Sequence, residues 1–419
     1  MVSRAGSPEP QGSGVSAVAH RVLAPLAYRD FRLLWSGQTI SAMGGPLQTV
    51  ALTWLVLDLT GSAVALSGML LATALPGAAF TLAGGVITDR YDPRTVMLWS
   101  DAARAATTGL IALLALTASL HLWMLYALLA VSGAAGGIFS PAAQSILPRL
   151  VPRGRLAAAN SLSQSTPQLA LLLAAPAGGA LVALAGAVPA LALNAASYAV
   201  AALASVAITP LRREATEASV PLWQSARIGL AYTREHHWLI AIIVLDAFLS
   251  FAVIGPLAVG LPLLARERPD MGVAGFGLML AGFGVGSVVG MLLAGTRSAT
   301  RRRGIAFCLL ELCQGPLAVG LAFAPLSLSI VLLAVMGLLN GGATVMYMAL
   351  VQGRIATAML GRVMSFVALG SFGLVPLSQL GAAALAEVAG PRTLFLAAGA
   401  LLTAAALGGL LNPSLRHLD

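Results

Sequence analysis

The sequence predicts an all-α polytopic membrane protein, with twelve transmembrane helices in two six-helix pseudo-repeats and both termini in the cytoplasm. Three observations predict it. Of the 419 residues, 58% are apolar and 9% are charged, whereas a soluble domain carries about 25% charge, so the chain cannot cover itself with a polar surface. The apolar residues fall into long runs separated by short loops. The basic residues lie almost entirely on one side of those runs.

The runs cover residues 33–57, 63–87, 95–117, 123–147, 157–185, 188–208, 238–263, 272–296, 304–324, 326–351, 357–388 and 391–411. Each is long enough to cross a hydrocarbon core of about 30 Å as a helix. The chain has no lysine, and 21 of its 24 arginines fall on the side of the tails, leaving Arg266, Arg268 and Arg392 opposite. That asymmetry satisfies the positive-inside rule and places the tails in the cytoplasm. The net charge of +9 is spread singly through loops and forms no patch for nucleic acid. Residues 1–30 read as a flexible cytoplasmic tail, because they are rich in Ser, Gly and Pro and have no apolar stretch of a signal peptide. The order is then a bundle over 31–208, a polar central loop over 209–237, a second bundle over 238–411 and a tail over 412–419.

Between the second and third runs stands Gly85-Val-Ile-Thr-Asp89-Arg90-Tyr-Asp-Pro-Arg94. Charges packed into a loop this short fix an orientation and suggest an ionic latch of Gly85, Asp89, Arg90 and Arg94. Asp101 and Arg104, three residues apart on the third helix, can pair with each other or with Arg94. The halves echo each other: Asp89 and Arg90 map onto the arginine-rich stretch from Arg297 to Arg303 at an offset of about 207, which suggests a parallel repeat.

Polar residues at helical spacing mark candidate inner faces, since an amide facing lipid is costly and one facing a cavity is not. Helix one carries Gln38, Ser41 and Gln48; helix four Ser132, Ser140 and Gln144; helix five Asn160, Gln164 and Gln168; helix ten Asn340, Thr344 and Tyr347. Phe276, Met279 and Phe283 on helix eight add soft apolar contacts. Interhelical hydrogen bonding explains the polar stripes equally well. A carboxylate at the bilayer centre costs about 2.5–3.5 kcal/mol, which singles out Asp246 and Glu311. Asp246, one turn before Ser250, is the favoured proton or cation site, and Glu311 the second candidate. Trp35, Trp99, Trp123 and Trp238 sit near span ends, as interfacial aromatics do. Cys308 and Cys313 are not spaced for a metal or a disulfide, the histidines are in tails or loops, and no nucleophile constellation exists. Enzyme chemistry, cofactors and metals are therefore not expected.

From Phe31 to Leu411 the chain resembles a major facilitator superfamily transporter of the bacterial drug and siderophore exporter branch, which includes enterobactin and macrolide exporters. The resemblance rests on Phe31-Arg-Leu-Leu-Trp-Ser-Gly-Gln38, Leu59-Thr-Gly-Ser62, the Gly85–Arg94 signature, Leu147-Pro-Arg-Leu-Val-Pro152 with Ala159-Asn160, and Gly361-Arg-Val-Met-Ser365. It implies that Asp89 faces the N-terminus of the eleventh helix and holds the cytoplasmic side closed. It also implies that helices one, four, seven and ten line the cavity, with two, five, eight and eleven beside them. The implied activity is export of amphipathic small molecules by alternating access and proton antiport, by a monomer in the bacterial cytoplasmic membrane. Its partners would be the cargo, membrane lipid and protons. The pattern departs from the family in two places: Gly44-Gly45-Pro46 stands where related exporters have an acid, and helix four lacks their arginine between Leu128 and Gly137. Coupling would then run through Asp246. The glycine-proline signature of helix five survives only as Ala175-Pro176-Ala-Gly178-Gly179. An uptake permease and a transporter-derived scaffold or receptor without flux are the alternatives.

Overall fold

A computed structural model describes residues 23–210, 230–296, 302–355, 359, 363 and 373–416. Among these residues the secondary structure is helical throughout. The long elements are α1 (Arg29–Thr60), α2 (Ala63–Arg90), α3 (Pro93–Leu116), α4 (Leu122–Leu150), α5 (Leu156–Ala185), α6 (Ala187–Ala207), α7 (His237–Gly255), α8 (Gly272–Thr296), α9 (Arg303–Leu321), α10 (Leu326–Arg354) and α11 (Val375–Leu411). Residues 1–22 of the predicted tail over 1–30, most of the central loop, Arg297, Arg301 and the signature from Gly361 to Ser365 apart from Val363 lie outside the described residues, as does the Asp89 side chain.

Ten of the described helices are long and apolar enough to cross a membrane. The helix α3 is not among them, because Arg94, Asp101 and Arg104 dilute its apolar residues over only 24 positions. The run α11 bends at Gly390, whose φ of +80° is left-handed and ends one helix before Pro391 starts the next. The helix α7 passes into a π-helical turn at Pro256–Gly260 and resumes over Leu261–Glu267. Proline cannot donate into the helical ladder, which locates that irregularity.

Neighbours follow a repeating order. In the first half α2 packs on α4, α3 on α4 and α6, and α1 on α6; in the second α8 packs on α10, α9 on α10 and α11, and α7 on α11. Both close crossings are made by glycine, since small residues let backbones approach. A Cβ at Gly137 would lie 2.9 Å from the Thr81 nitrogen, and one at Gly286 would lie 2.8 Å from the Leu338 nitrogen. Contacts between the halves run through α5 on α8 and α2 on α11.

Candidate transport site

The helix α3 starts on Asp92, whose Oδ1 accepts from the Arg94 nitrogen at 3.1 Å, with Pro93 at the first helical position. Arg94 then turns away from Asp101. Its Nε and terminal nitrogen donate to the Ser205 and Val206 carbonyls at 2.8 Å each, so it caps the C-terminal end of α6, where a cation also suits the helix dipole. Arg90 is exposed. A Cβ at Gly85 would meet nothing within 4 Å, whereas one at Gly84 would lie 2.8 Å from the Ile138 Cα. The glycine that the packing of α2 on α4 requires is therefore Gly84.

Asp101 and Arg104 sit two to three turns inside α3 and pair with each other across one turn. Asp101 is fully buried, and its second oxygen accepts from Gln38 Nε2 of α1 at 3.3 Å. The Arg104 guanidinium lies over the Phe139 ring of α4 at 4.4 Å and the Tyr198 ring of α6 at 4.6 Å. Cation–π contact of this kind favours a charge that has lost water. Four helices thus meet on one ion pair. These two residues, expected at a cytoplasmic latch, stand in the interior of the first half instead.

Beside the pair is a cavity of about 350 Å³, lined by Gln48, Thr73, Thr81, Arg104, Ser132 and Tyr198 together with glycines of the α2–α4 crossing. Gln48 is also held from behind: its Oε1 accepts from Asn194 Nδ2 and, at 3.4 Å, from Thr108 Oγ1. Asn194 in turn packs against Gly44, where a Cβ would lie 2.5 Å from Ser197 Oγ. Gly44 thus makes room for a polar residue of α6, whereas a Cβ at Gly45, which stands in place of the expected helix-one acid, would meet nothing within 4 Å.

The remaining predicted positions divide. Ser41 and Ser132 are buried, and Ser140 is half-buried and accepts from Gln144 at 3.4 Å. Gln164 and Gln168 keep an exposed stripe with Asn160 on α5. Thr344 is exposed and donates to the Asn340 carbonyl at 2.8 Å, but Tyr347 turns inward, its ring 5.9 Å from that of Phe307. Phe276 and Met279 are buried in the apolar core and Phe283 is half-buried. For Tyr347, Phe276 and Met279 the structure shows packing between helices in place of an open cavity wall.

In the second half, Glu311 of α9 is 5% exposed and accepts from Gln314 Nε2 at 2.8 Å. Asp246 of α7 lies within electrostatic reach of it. Asp246 and Ser250 are both half-buried. The Gln314 Oε1 acceptor has no hydrogen-bond partner among the described residues.

At the end of the bundle that holds the α1–α2 turn, two polar contacts that sequence reasoning missed join the halves. Glu387 of α11 accepts from the Ala63 nitrogen at 3.0 Å and from Ser62 Oγ at 3.3 Å, covering the N-terminus of α2. Arg266, past α7, donates to the Leu57 carbonyl at the end of α1 and lies 3.9 Å from Asp58. Near the same end Gly277 of α8 crosses α5, where a Cβ would lie 2.6 Å from the Ala175 carbonyl. The weak helix-five signature Ala175–Gly179 is thus part of the surface on which the halves touch. Ser62 caps α2, its side chain accepting from the Ala65 nitrogen, but nothing local in Leu59-Thr-Gly-Ser62 pointed to a partner more than 300 residues away.

A family model described as transmembrane secretion effector, MFS_3, matches residues 20–418. The chain is a major facilitator superfamily transporter. Among relatives of this MFS transporter is macrolide efflux protein A of Streptococcus pyogenes, 25% identical over 395 residues that cover 93% of this chain and 97% of the relative. Another is multidrug efflux pump Tap of Mycobacterium bovis, 27% identical over 391 residues, 91% and 92% of the two chains. The MFS fold is matched by the nucleoside transporter NupG, with a TM-score of 0.73 at 11% identity over 91% of this chain and 98% of NupG. It is matched too by a bacterial homologue of the lysosomal transporter Spinster, with a TM-score of 0.69 at 13% identity over 93% and 97%. The transporter is a multi-pass membrane protein and not an enzyme.

Proposed function

We propose that this transporter exports amphipathic small molecules, of the drug or secondary-metabolite kind, in exchange for protons. Twelve spans arranged as two six-helix bundles, counting α3 and both parts of α11, would leave both termini in the bacterial cytoplasm. The cargo path runs between the bundles past Gln164 and Gln168, with Gln38, Ser41, Gln48, Ser132, Ser140, Ser250, Asn340 and Thr344 on the helices around it. The end closed by Glu387 and Arg266 then faces outward, and the protein is open to the cytoplasm. In the opposite state Asp89 would close the inner end against the start of the eleventh span.

The observation that carries proton exchange is the burial of Glu311 within electrostatic reach of Asp246. A carboxyl group 5% exposed inside a span, with a second carboxylate near it, is the kind of intramembrane acid that proton relays are built from. Gln314 supplies the acceptor that a protonated Glu311 needs after an amide flip. Macrolide and multidrug efflux among the relatives supports the direction and class of cargo. The test is efflux of erythromycin and ethidium from a pump-deficient bacterium, and uptake of both into inside-out vesicles or proteoliposomes under an imposed pH gradient. Expected is transport that collapses with an uncoupler and in Asp246→Asn. Transport untouched by the uncoupler would refute proton exchange, and no transport of either compound would refute export.

A further inference from the structure

We propose that the cavity of the first half is a binding site for an anionic oxygen, such as a carboxylate on the cargo, with Arg104 as its receptor and Asp101 as a positioning residue. Arg104 is the one charged side chain among the described residues that line the cavity. Its counter-ion is turned away: Asp101 is fully buried and its oxygens are engaged by Arg104 and Gln38. Among the described residues the hydrogen bond of the guanidinium is the one to Asp101, and Nε is without a partner. An arginine fork has five donors and matches a carboxylate in two-point geometry. The rings of Phe139 and Tyr198 hold that fork in place from α4 and α6, so little ordering cost remains when a ligand arrives. Gln48, Thr81 and Ser132 offer further neutral polar contacts around the opening. The cavity volume of about 350 Å³ suits one ring system bearing one acidic group.

This deepens the export reading by naming a chemical group on the cargo, but binding is tested without transport. Purified full-length protein in detergent is titrated calorimetrically with 2-naphthoate and with 2-naphthylmethylammonium, which share a ring and differ in charge. The expected result is binding of the anion at least about ten-fold tighter than the cation, lost in the Asp101→Asn/Arg104→Gln double variant and partly kept in Arg104→Lys. The double variant removes both charges, so a melting temperature near that of the parent shows that it folds. No preference for the anion in the parent, or an undiminished preference in the folded double variant, overturns the proposal. Phosphatidylglycerol that co-purifies in an Arg104-dependent way while naphthoate fails to bind would also overturn it, in favour of a lipid headgroup. A protein that binds naphthoate but exports nothing leaves this site standing and sinks the export reading.

Discussion

The two halves solve the same packing problem with opposite electrostatics. Asp101 and Arg104 on α3 are matched, 210 positions later, by Glu311 and Gln314 on α9. Gln38 of α1 approaches the first acid, and Asp246 of α7 approaches the second. So the first half offers its buried carboxylate a cation and an amide, and the second offers an amide and another carboxylate. A shared helical frame therefore holds one acid in an ion pair and leaves the equivalent acid without that cation, which is where the proposed proton exchange places its proton. The difference predicts where removal of a side chain injures the fold and where it injures only the work done by the fold.

The largest effect should come from Arg104→Ala. It leaves Asp101 buried with a charge and only Gln38 for company, which costs about 3–5 kcal/mol. The expected outcome is a large fall in melting temperature of the purified protein, most of it regained when Asp101→Asn is added. The counterpart Gln314→Ala should cost only about 1 kcal/mol, the worth of one hydrogen bond. Equal losses in the two variants would break the comparison.

Next in size are the glycine crossings, where the halves should behave alike. A methyl group at Gly137 or Gly286 must push a helix away from the backbone it touches, and overpacking of this kind costs about 1–3 kcal/mol. The variants Gly137→Ala and Gly286→Ala should lower the melting temperature by similar amounts. A large gap between them would show that the repeat is a likeness of sequence pattern and not of packing.

How far this contrast was legible beforehand depends on the kind of signal. Span positions were readable because length and hydropathy act locally. The run from 63 to 87 became Ala63–Arg90, and that from 326 to 351 became Leu326–Arg354. The break at residues 388–391 was readable from Gly390-Pro391. The pairing of Asp101 with Arg104 followed from their spacing, but their depth did not. Both were grouped with the charged loop, whereas 11 residues of helix at about 1.5 Å each separate Arg104 from Pro93. Phe139 and Tyr198 could not be found from sequence, because an aromatic in an apolar span carries no mark of what it faces. The Asp-x-x-Arg and Glu-x-x-Gln pairs did carry a signal, an equal offset of both members, that a comparison of ionisable residues between halves would have exposed.

A smaller effect belongs to the clamp between the halves. Glu387 is exposed, so its charge at the N-terminus of α2 contributes only about 0.3–1 kcal/mol and is screened by salt. Spin labels at Val64 and Val388 would report the separation of that end. In Glu387→Gln the separated population should rise roughly two- to five-fold at low salt, and the difference from the parent should vanish near 1 M salt. A salt-independent change would mean that shape, not charge, holds the end shut.

The smallest effect on the fold, and the most informative about function, is expected for Glu311→Gln. If Glu311 works as a carboxylic acid for part of the cycle, glutamine is close to it in shape and keeps a hydrogen bond with Gln314. Its neighbours Gln314 and Asp246 are not cations, so none is stranded by the change, unlike Arg104 when Asp101 is changed. The melting temperature should therefore stay within about 0.5 kcal/mol equivalent of the parent. Transport should divide differently. Uphill accumulation driven by a pH gradient should be lost, while exchange of labelled for unlabelled erythromycin at equal concentrations should continue, because that exchange needs alternating access but no net proton movement. A destabilised Glu311→Gln protein would mean that this acid is tied to a cationic partner, as Asp101 is to Arg104. The two halves would then be electrostatically alike, and the coupling proton would have to reside elsewhere.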